Sequence, residues 1–411
     1  MSSPMCCPPL RALRLLLFAA FISLAALTAL FAATTLPAAA VDDSACTDGE
    51  QPSGAIFRIC LPDAPMPWNG QLVVYAHGYV DPTQPVGLPE DQLSIPGFGA
   101  IADVVTLQGY AFAATSYRRN GLAIQEGIDD VLELIDLFEA RVGIPRRVLL
   151  IGVSEGGAIT VLAVERHPDR IDGGLALCGP YGDFQRQVDH FADFRTVFDY
   201  FFPGVIPPTA IDIPAELLTT WNTGFYSETL RPVLLDPANA ISLTQVLSVT
   251  QAPIDPAAPT TTTEQTFERI LWYNVFSTND GKVQLGGNPF DNSATQYTGS
   301  LDDGALNSGV ARVTADLAAR TTISDHYQTT GSLAVPLITL HTTGDPVVPY
   351  VQADLYGQKV AAQGSSALYQ HYPIQRYGHC TFDPFELLGA FDELERKAGF
   401  RPGIFLPTVQ K

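Results

Sequence analysis

RVLLIGVSEGGAITVLAVE, residues Arg147 to Glu165, decides how this chain folds. It opens as an apolar run, Val148-Leu149-Leu150-Ile151, of the kind that fills an interior strand. It turns through Gly152-Val153-Ser154-Glu155-Gly156-Gly157 and leaves with Ile159, Leu162 and Ala163 at helical spacing. A serine at the tip of a strained strand-to-helix turn projects its Oγ beyond the strand end. Side chains at Gly152 or Gly156 would collide with neighbouring backbone. The first N–H groups of the following helix have no intrahelical acceptor, which leaves that of Glu155 free to stabilise a developing negative charge. A lone G-x-S-x-G also occurs by chance in ordinary strand–helix turns, so the rest of the chain must supply its partners.

Working outward, the same rhythm recurs on both sides. Upstream, Ala55–Leu61, Gln71–Ala76 and Ala111–Tyr117 read as strands. Phe98–Gln108 and Ile124–Val142 read as helices, the second with an apolar stripe of Ile128, Val131, Leu132, Ile135, Leu137 and Phe138. Downstream, Gly174–Cys178 is a strand, and then the alternation stops. From Tyr181 to Gly331 helical stretches at Gln185–Phe202, Gln265–Phe276 and Asn307–Arg320 surround a Pro/Ala/Thr-rich loop at Ala252–Thr263. The rhythm resumes with strand Val335–His341, helix Tyr350–Ala362, strand Leu368–Tyr372 and helix Pro384–Ala398. This βα alternation predicts an α/β fold, a mostly parallel sheet with helices on both faces. The expected division is a first core part at 41–180, a cap insertion at 181–331 and a second core part at 332–411.

The first forty residues read differently. Arg11 and Arg14 form a basic start, Leu15–Ala33 is apolar, and Pro37-Ala38-Ala39-Ala40 supplies small residues before acidic Asp42 and Asp43. This is the layout of a signal peptide, 1–40, and predicts a secreted protein, extracellular or periplasmic. The alternative is an uncleaved anchor, which would be the chain's one route to membrane contact. Of the 6 cysteines, Cys6 and Cys7 belong to this segment. The remaining Cys46, Cys60, Cys178 and Cys380 allow three pairings. Cys46–Cys60 is the local choice, which leaves Cys178–Cys380; free buried thiols are the alternative. The formal charge of −20 argues against nucleic acid and suits an extracellular protein acting on neutral substrates. No phosphate loop, dinucleotide fingerprint or metal-ligand cluster is evident, so no cofactor and no metal are expected.

A serine of this kind needs a base, and the base an orienting acid. Of 7 histidines, His379 alone follows the last core strand on a loop, with Gly378 before it. His341 and His371 lie within strands, while His167, His190 and His326 have no strand-end context. Asp345 sits in a Gly-Asp-x-x-x-Pro turn just after the preceding strand. The chain order is Ser154, Asp345, His379, with Asp183 as the other candidate acid. His77 ends the strand whose following loop should supply a second oxyanion donor: the N–H of Tyr79, or else of Gly78, alongside that of Glu155. The Glu155 carboxylate has Arg118 or Arg119 as candidate partners. The aromatics Phe191, Phe194, Phe198, Tyr200, Phe201 and Phe202 either line a site near Ser154 or form the cap's own core.

At Gly152–Gly157, Gly344–Pro349 and Gly378-His379-Cys380 the chain resembles the α/β-hydrolase superfamily, over about 55–181 and 335–400. The doubled glycine after Ser154 looks like secreted esterases and prolyl-oligopeptidase-type catalytic domains. No propeller repeats accompany it, so a full oligopeptidase architecture is not expected. His379-Cys380 is similar to the tannase and feruloyl-esterase group, where a cysteine beside the base pairs with one beside the serine. Val153 holds that second place here, so a bond would have to come from Cys178. The resemblance implies a serine hydrolase cleaving carboxylic esters, small or polymeric, through an acyl-enzyme on Ser154, and the aromatic block, where it lines the site, implies a hydrophobic or aromatic group on the substrate. A peptidase or amidase with the same triad is the alternative, and an inactive binding protein a third reading.

Overall fold

The computed structural model describes residues 46–63, 66–207 and 209–399. The expected signal peptide lies outside them. Eight strands form one sheet: β1 (Cys46–Glu50), β2 (Ile56–Cys60), β3 (Gln71–Ala76), β4 (Ala111–Thr115), β5 (Arg147–Val153), β6 (Gly173–Leu177), β7 (Leu337–Gly344) and β8 (Tyr369–Tyr377). Their spatial order is 1-2-4-3-5-6-7-8. β2 runs antiparallel to both β1 and β4, and every later pairing is parallel.

The central strands are buried on both faces, which is why they read as unbroken apolar runs. Alternate residues of β3 serve different layers. Leu72, Val74 and Ala76 pack with α2 (Ile124–Arg141) and α3 (Glu155–Arg166). Val73 and Tyr75 pack with the other layer, α1 (Ile101–Thr106) and the C-terminal helix Pro384–Lys397. That last helix starts on a capping box, Asp383 with Glu386, behind Pro384 at its first position.

Among the described residues seven α-helices lie between β6 and β7: α4 (Phe184–Phe201), α5 (Ala215–Thr220), α6 (Arg231–Leu235), α7 (Ala240–Thr250), α8 (Pro259–Leu285), α9 (Asp303–Gly309) and α10 (Leu317–Thr322). After β7 come α11 (Val351–Ala362) and, after β8, the C-terminal helix α12. The inserted helices hold their own apolar core, with Phe198, Trp221, Val246, Phe267, Ile270 and Val275 at its centre.

The insertion departs from the sequence-based expectation in two places. The loop expected at 252–263 ends early, because α8 begins at Pro259 and runs unbroken for 27 residues. Pro259 suits a first helical turn, and the Thr262 hydroxyl, bonded back to the Ala258 carbonyl, is satisfied within the helix. The single helix expected at 307–320 is two short ones separated by extended chain. Asn288 and Asn292 cause the break. Their side chains donate to the carbonyls of Thr314 and Ala311, and Asn292 accepts from Val313 N–H, taking bonds a helix would need.

Candidate active site

The turn between β5 and α3 is as tight as its glycines imply. Ser154 has φ +57° and ψ −119°, left-handed backbone that a non-glycine residue adopts only under constraint. A Cβ on Gly152 would stand 1.9 Å from the Gly156 carbonyl oxygen, and one on Gly156 2.0 Å from that of Ala76. The serine therefore sits at the C-terminal end of the sheet, with the N-terminus of α3 directly behind it.

Two other strand ends meet it there. Asp345 follows β7, and His379 lies on the loop after β8. The ring atom Nδ1 of His379 is 2.7 Å from Asp345 Oδ2, and Nε2 is 2.8 Å from Ser154 Oγ. A carboxylate can only accept, so Nδ1 carries the proton and donates, leaving Nε2 to accept from the serine hydroxyl. The carboxylate is buried and further fixed. Its Oδ1 accepts from the N–H groups of Val347 (2.8 Å) and Val348 (3.0 Å), and His341 Nε2 stands 3.5 Å from Oδ2. Burial pushes Asp345 up, but His379 and His341 outweigh it and bring the group down to about 2, so it is ionised at neutral pH. Asp183 is occupied elsewhere: it caps α4 and accepts from Gln328.

Beside Ser154, Gly78 N–H donates to Gln92 Oε1 at 2.8 Å and is spent. Among the described residues the N–H groups of Tyr79 and Glu155 have no acceptor. Gln92 also donates to the Tyr79 carbonyl, so one amide holds both ends of this short loop. Sequence reading did not find Gln92, since nothing in its Pro-rich surroundings marks it. His77 is structural: burial pushes it toward the neutral form, and it stacks on Tyr117 at 4.0 Å.

An apolar cavity opens next to Ser154, walled by Tyr79 and Leu122 from the core and by Phe184, Phe191, Tyr273 and Leu285 from the inserted segment. The aromatic block thus divides. Phe194, Phe198 and Phe202 build the insertion's core, while Phe191 reaches the cavity and stacks on Tyr273 at 5.2 Å.

Residues 71–224 match a family described as "Serine aminopeptidase, S33". With the strand order and the serine turn, this decides the assignment. The chain has the α/β-hydrolase fold. Across 416 aligned residues it is 22% identical to the o-phthalyl amidase of Xanthobacter agilis, covering 85% of this chain and 86% of that one. Among solved structures it is similar to feruloyl esterase B from Aspergillus oryzae, at 15% identity and TM-score 0.45, covering 79% of this chain and 71% of that one. It is also similar to Pyrococcus horikoshii acylaminoacyl peptidase, at 12% identity and TM-score 0.42, covering 87% of this chain. This α/β-hydrolase spans 43% of that peptidase's length. The chain is an enzyme of the esterase and peptidase kind.

Two disulfides brace the hydrolase. Cys46 and Cys60 face each other across β1 and β2. Cys178, just past β6, bonds Cys380 and so ties down the loop that carries His379. Both of these cysteines have positive φ, 46° and 55°, so the covalent tie holds backbone that would otherwise relax. Their sulfurs and His379 lie together at metal-ligand spacing, but the bonded pair offers no thiolate and does not fit a metal. The disulfides suit an oxidising, extracellular or periplasmic compartment. Among the described residues no helix is long and apolar enough to cross a membrane.

Glu155 differs from expectation. Arg118 pairs with Asp130 and Arg119 with Asp280, so neither arginine meets the Glu155 carboxyl. Glu155 is 6% exposed, accepts from Ala123 N–H at 2.9 Å, and is pushed by burial up to about 8. Below pH ~4.5 it is protonated both folded and unfolded. Between there and about 8 the unfolded chain releases the proton and the folded chain keeps it, so stability falls as pH rises across that window. Glu155→Gln is expected to remove this slope. Urea unfolding at pH 5 and pH 8.5 should show the wild type losing more stability than the variant, on the order of 1.4 kcal/mol for each unit of displacement. Equal losses would place the ionised carboxylate in the folded protein.

Proposed function

We propose that the protein is an exported serine hydrolase that cleaves carboxylic esters through an acyl-enzyme on Ser154. The observation carrying this reading is the continuous chain of contacts from Ser154 Oγ through His379 to Asp345, at 2.8 and 2.7 Å. In it His379 takes the serine proton as Oγ attacks the carbonyl, and returns it to the departing alcohol. Asp345 holds the ring's tautomer and balances its charge. The N–H groups of Tyr79 and Glu155 receive the oxyanion, and a water then repeats the cycle to free the acid. The cavity beside Ser154, apolar on most sides, suits a hydrophobic or aromatic acyl group.

A second reading has the same triad acting on amides. It is favoured by the match to o-phthalyl amidase and to the serine aminopeptidase family. One experiment addresses both. The mature protein is treated with a fluorophosphonate probe, digested and mapped by mass spectrometry, then assayed on p-nitrophenyl esters of rising chain length and on anilides of the same acids. A single adduct on Ser154, with esters turned over faster than anilides, is the expected result. No adduct, or an adduct elsewhere, would sink the serine mechanism. Anilide turnover matching or exceeding ester turnover would make the enzyme an amidase.

A further inference from the structure

Beyond the apolar cavity, a second opening reaches the triad from the side of the base. It is lined by Glu268, Arg269, Trp272, Tyr273, Val347 and His379. Tyr273 and Val347 belong to the walls of both spaces. In acyl transfer the base returns its proton to the leaving group, so the leaving group lies on the histidine side. The acyl part then occupies the apolar cavity, and the alcohol part the opening beside His379.

Arg269 is the unusual member of this opening. Arg195 pairs with Asp199 at 2.7 Å and Arg231 with Glu264 at 2.6 Å, while Arg186, Arg312 and Arg320, like Arg269, make no ion pair among the described residues; of these four, Arg269 is the one that lines this opening. Among the described residues Arg269 has no carboxylate within 4.0 Å and no hydrogen-bond acceptor. Glu264, five residues earlier and so off the Arg269 face of the helix, is already held by Arg231 and Tyr226. Glu268 precedes Arg269 directly, and successive helical residues point about 100° apart, so it is no facing partner. Burial pushes the Glu268 carboxyl upward, toward its neutral form, by more than the neighbouring Arg269 charge pulls it down. A half-buried guanidinium left without a partner is costly unless something else supplies the anion. Arg269 also lies one helical turn from Tyr273, on the same face of α8, which places both over the reaction centre.

We propose that Arg269 binds a carboxylate on the leaving part of the substrate, so that the natural substrate is an ester whose released alcohol is itself an acid. This rests on the serine-hydrolase reading above. The planar guanidinium can meet a carboxylate with two parallel N–H donors, a match a neutral leaving group lacks. The reaction is unchanged: the ester C–O bond breaks, the alkoxide takes the proton from His379, and a carboxylate-bearing alcohol departs. The protein's overall charge of −20 disfavours anions at long range, so the preference comes from contact and not from steering.

The test compares two esters of one acyl chain, the 4-carboxyphenyl ester and its methyl-capped counterpart, the 4-(methoxycarbonyl)phenyl ester. Each kcat/KM is divided by the rate of uncatalysed hydrolysis. The wild type should favour the carboxylate by about ten-fold or more. That ratio should fall toward one in Arg269→Gln, stay intermediate in Arg269→Lys, and shrink in 0.5 M salt. A wild-type ratio at or below one overturns the proposal even if no variant folds, as does a ratio that Arg269→Gln leaves intact. Turnover of the capped ester together with an unfavourable ratio sinks this inference alone. No turnover of either ester sinks the serine-hydrolase reading with it.

Discussion

Ser154→Ala is expected to lower kcat on the best ester by about 10⁶-fold, the scale seen when the nucleophile of a serine protease is removed. The reasoning is chemical. Without Oγ no covalent intermediate forms, and His379 faces a methyl group, so what remains is slow attack by water in a site that still binds the ester and its oxyanion. The backbone N–H groups of Tyr79 and Glu155 are untouched by the change, and KM should therefore move far less than kcat. Folding should survive as well. Alanine at φ +57° is no worse placed than serine, and the residue makes no bond that supports the turn beyond its own main chain, including Ser154 N–H to the Leu177 carbonyl. Steady-state kinetics with a circular dichroism control checks this. A variant retaining more than about a hundredth of wild-type turnover would show that the serine is not the nucleophile.

The parts of this site that could be read from sequence share a physical cause. Each of the three sits just past the C-terminal end of a strand in the βα rhythm: Ser154 after an unbroken apolar run, Asp345 after a strand that opens on one, and His379 on the Gly378 loop after the last strand. Cys46 and Cys60 could be paired by nearness, although the strand at Cys46–Glu50 was not foreseen: it is short and exposed, and its five residues carry no apolar alternation. β8 was read as ending at Tyr372 but continues to Tyr377, because an edge strand with polar, half-exposed residues shows no apolar run. The insertion was harder still. Between Ala215 and Leu235 a π-helical stretch joins two short helices, with Gly224 outside helical geometry, so the apolar residues keep no steady period. The surroundings of the Glu155 carboxyl are not legible for a different reason. Its two candidate arginines lie close in the chain, but Asp130 and Asp280 bind them, and Asp280 comes from a helix more than a hundred residues away. Long-range competition of that kind leaves no local trace. Arg269 and Gln92 are the same case, since each gains its meaning only from the strand ends it lies beside.

Asp345→Asn is expected to lower kcat by about 10⁴-fold while leaving the fold in place. The size follows from which way the new amide must point. In the wild type Oδ1 accepts from Val347 and Val348 N–H groups, two donors that cannot be turned away because they belong to the turn itself. The asparagine must therefore keep its oxygen on that side and present its NH₂ to His379. An NH₂ donates, so Nδ1 of His379 has to accept, and the ring's single proton moves to Nε2. There it points at Ser154 Oγ and can no longer receive the serine proton. The ring also loses the negative charge that balances it in the transition state. Asp345→Ala would free the ring to rotate and confound tautomer with position, so the amide is the cleaner change. Asp183→Asn is the comparison, because Asp183 caps α4 and has no bond to His379; it should cost less than about ten-fold, the effect of a weakened cap. Measured together on one ester, a large loss at Asp345 and a small one at Asp183 assigns the orienting acid. The reverse pattern would transfer that role to Asp183 and leave the turn after β7 a purely structural brace.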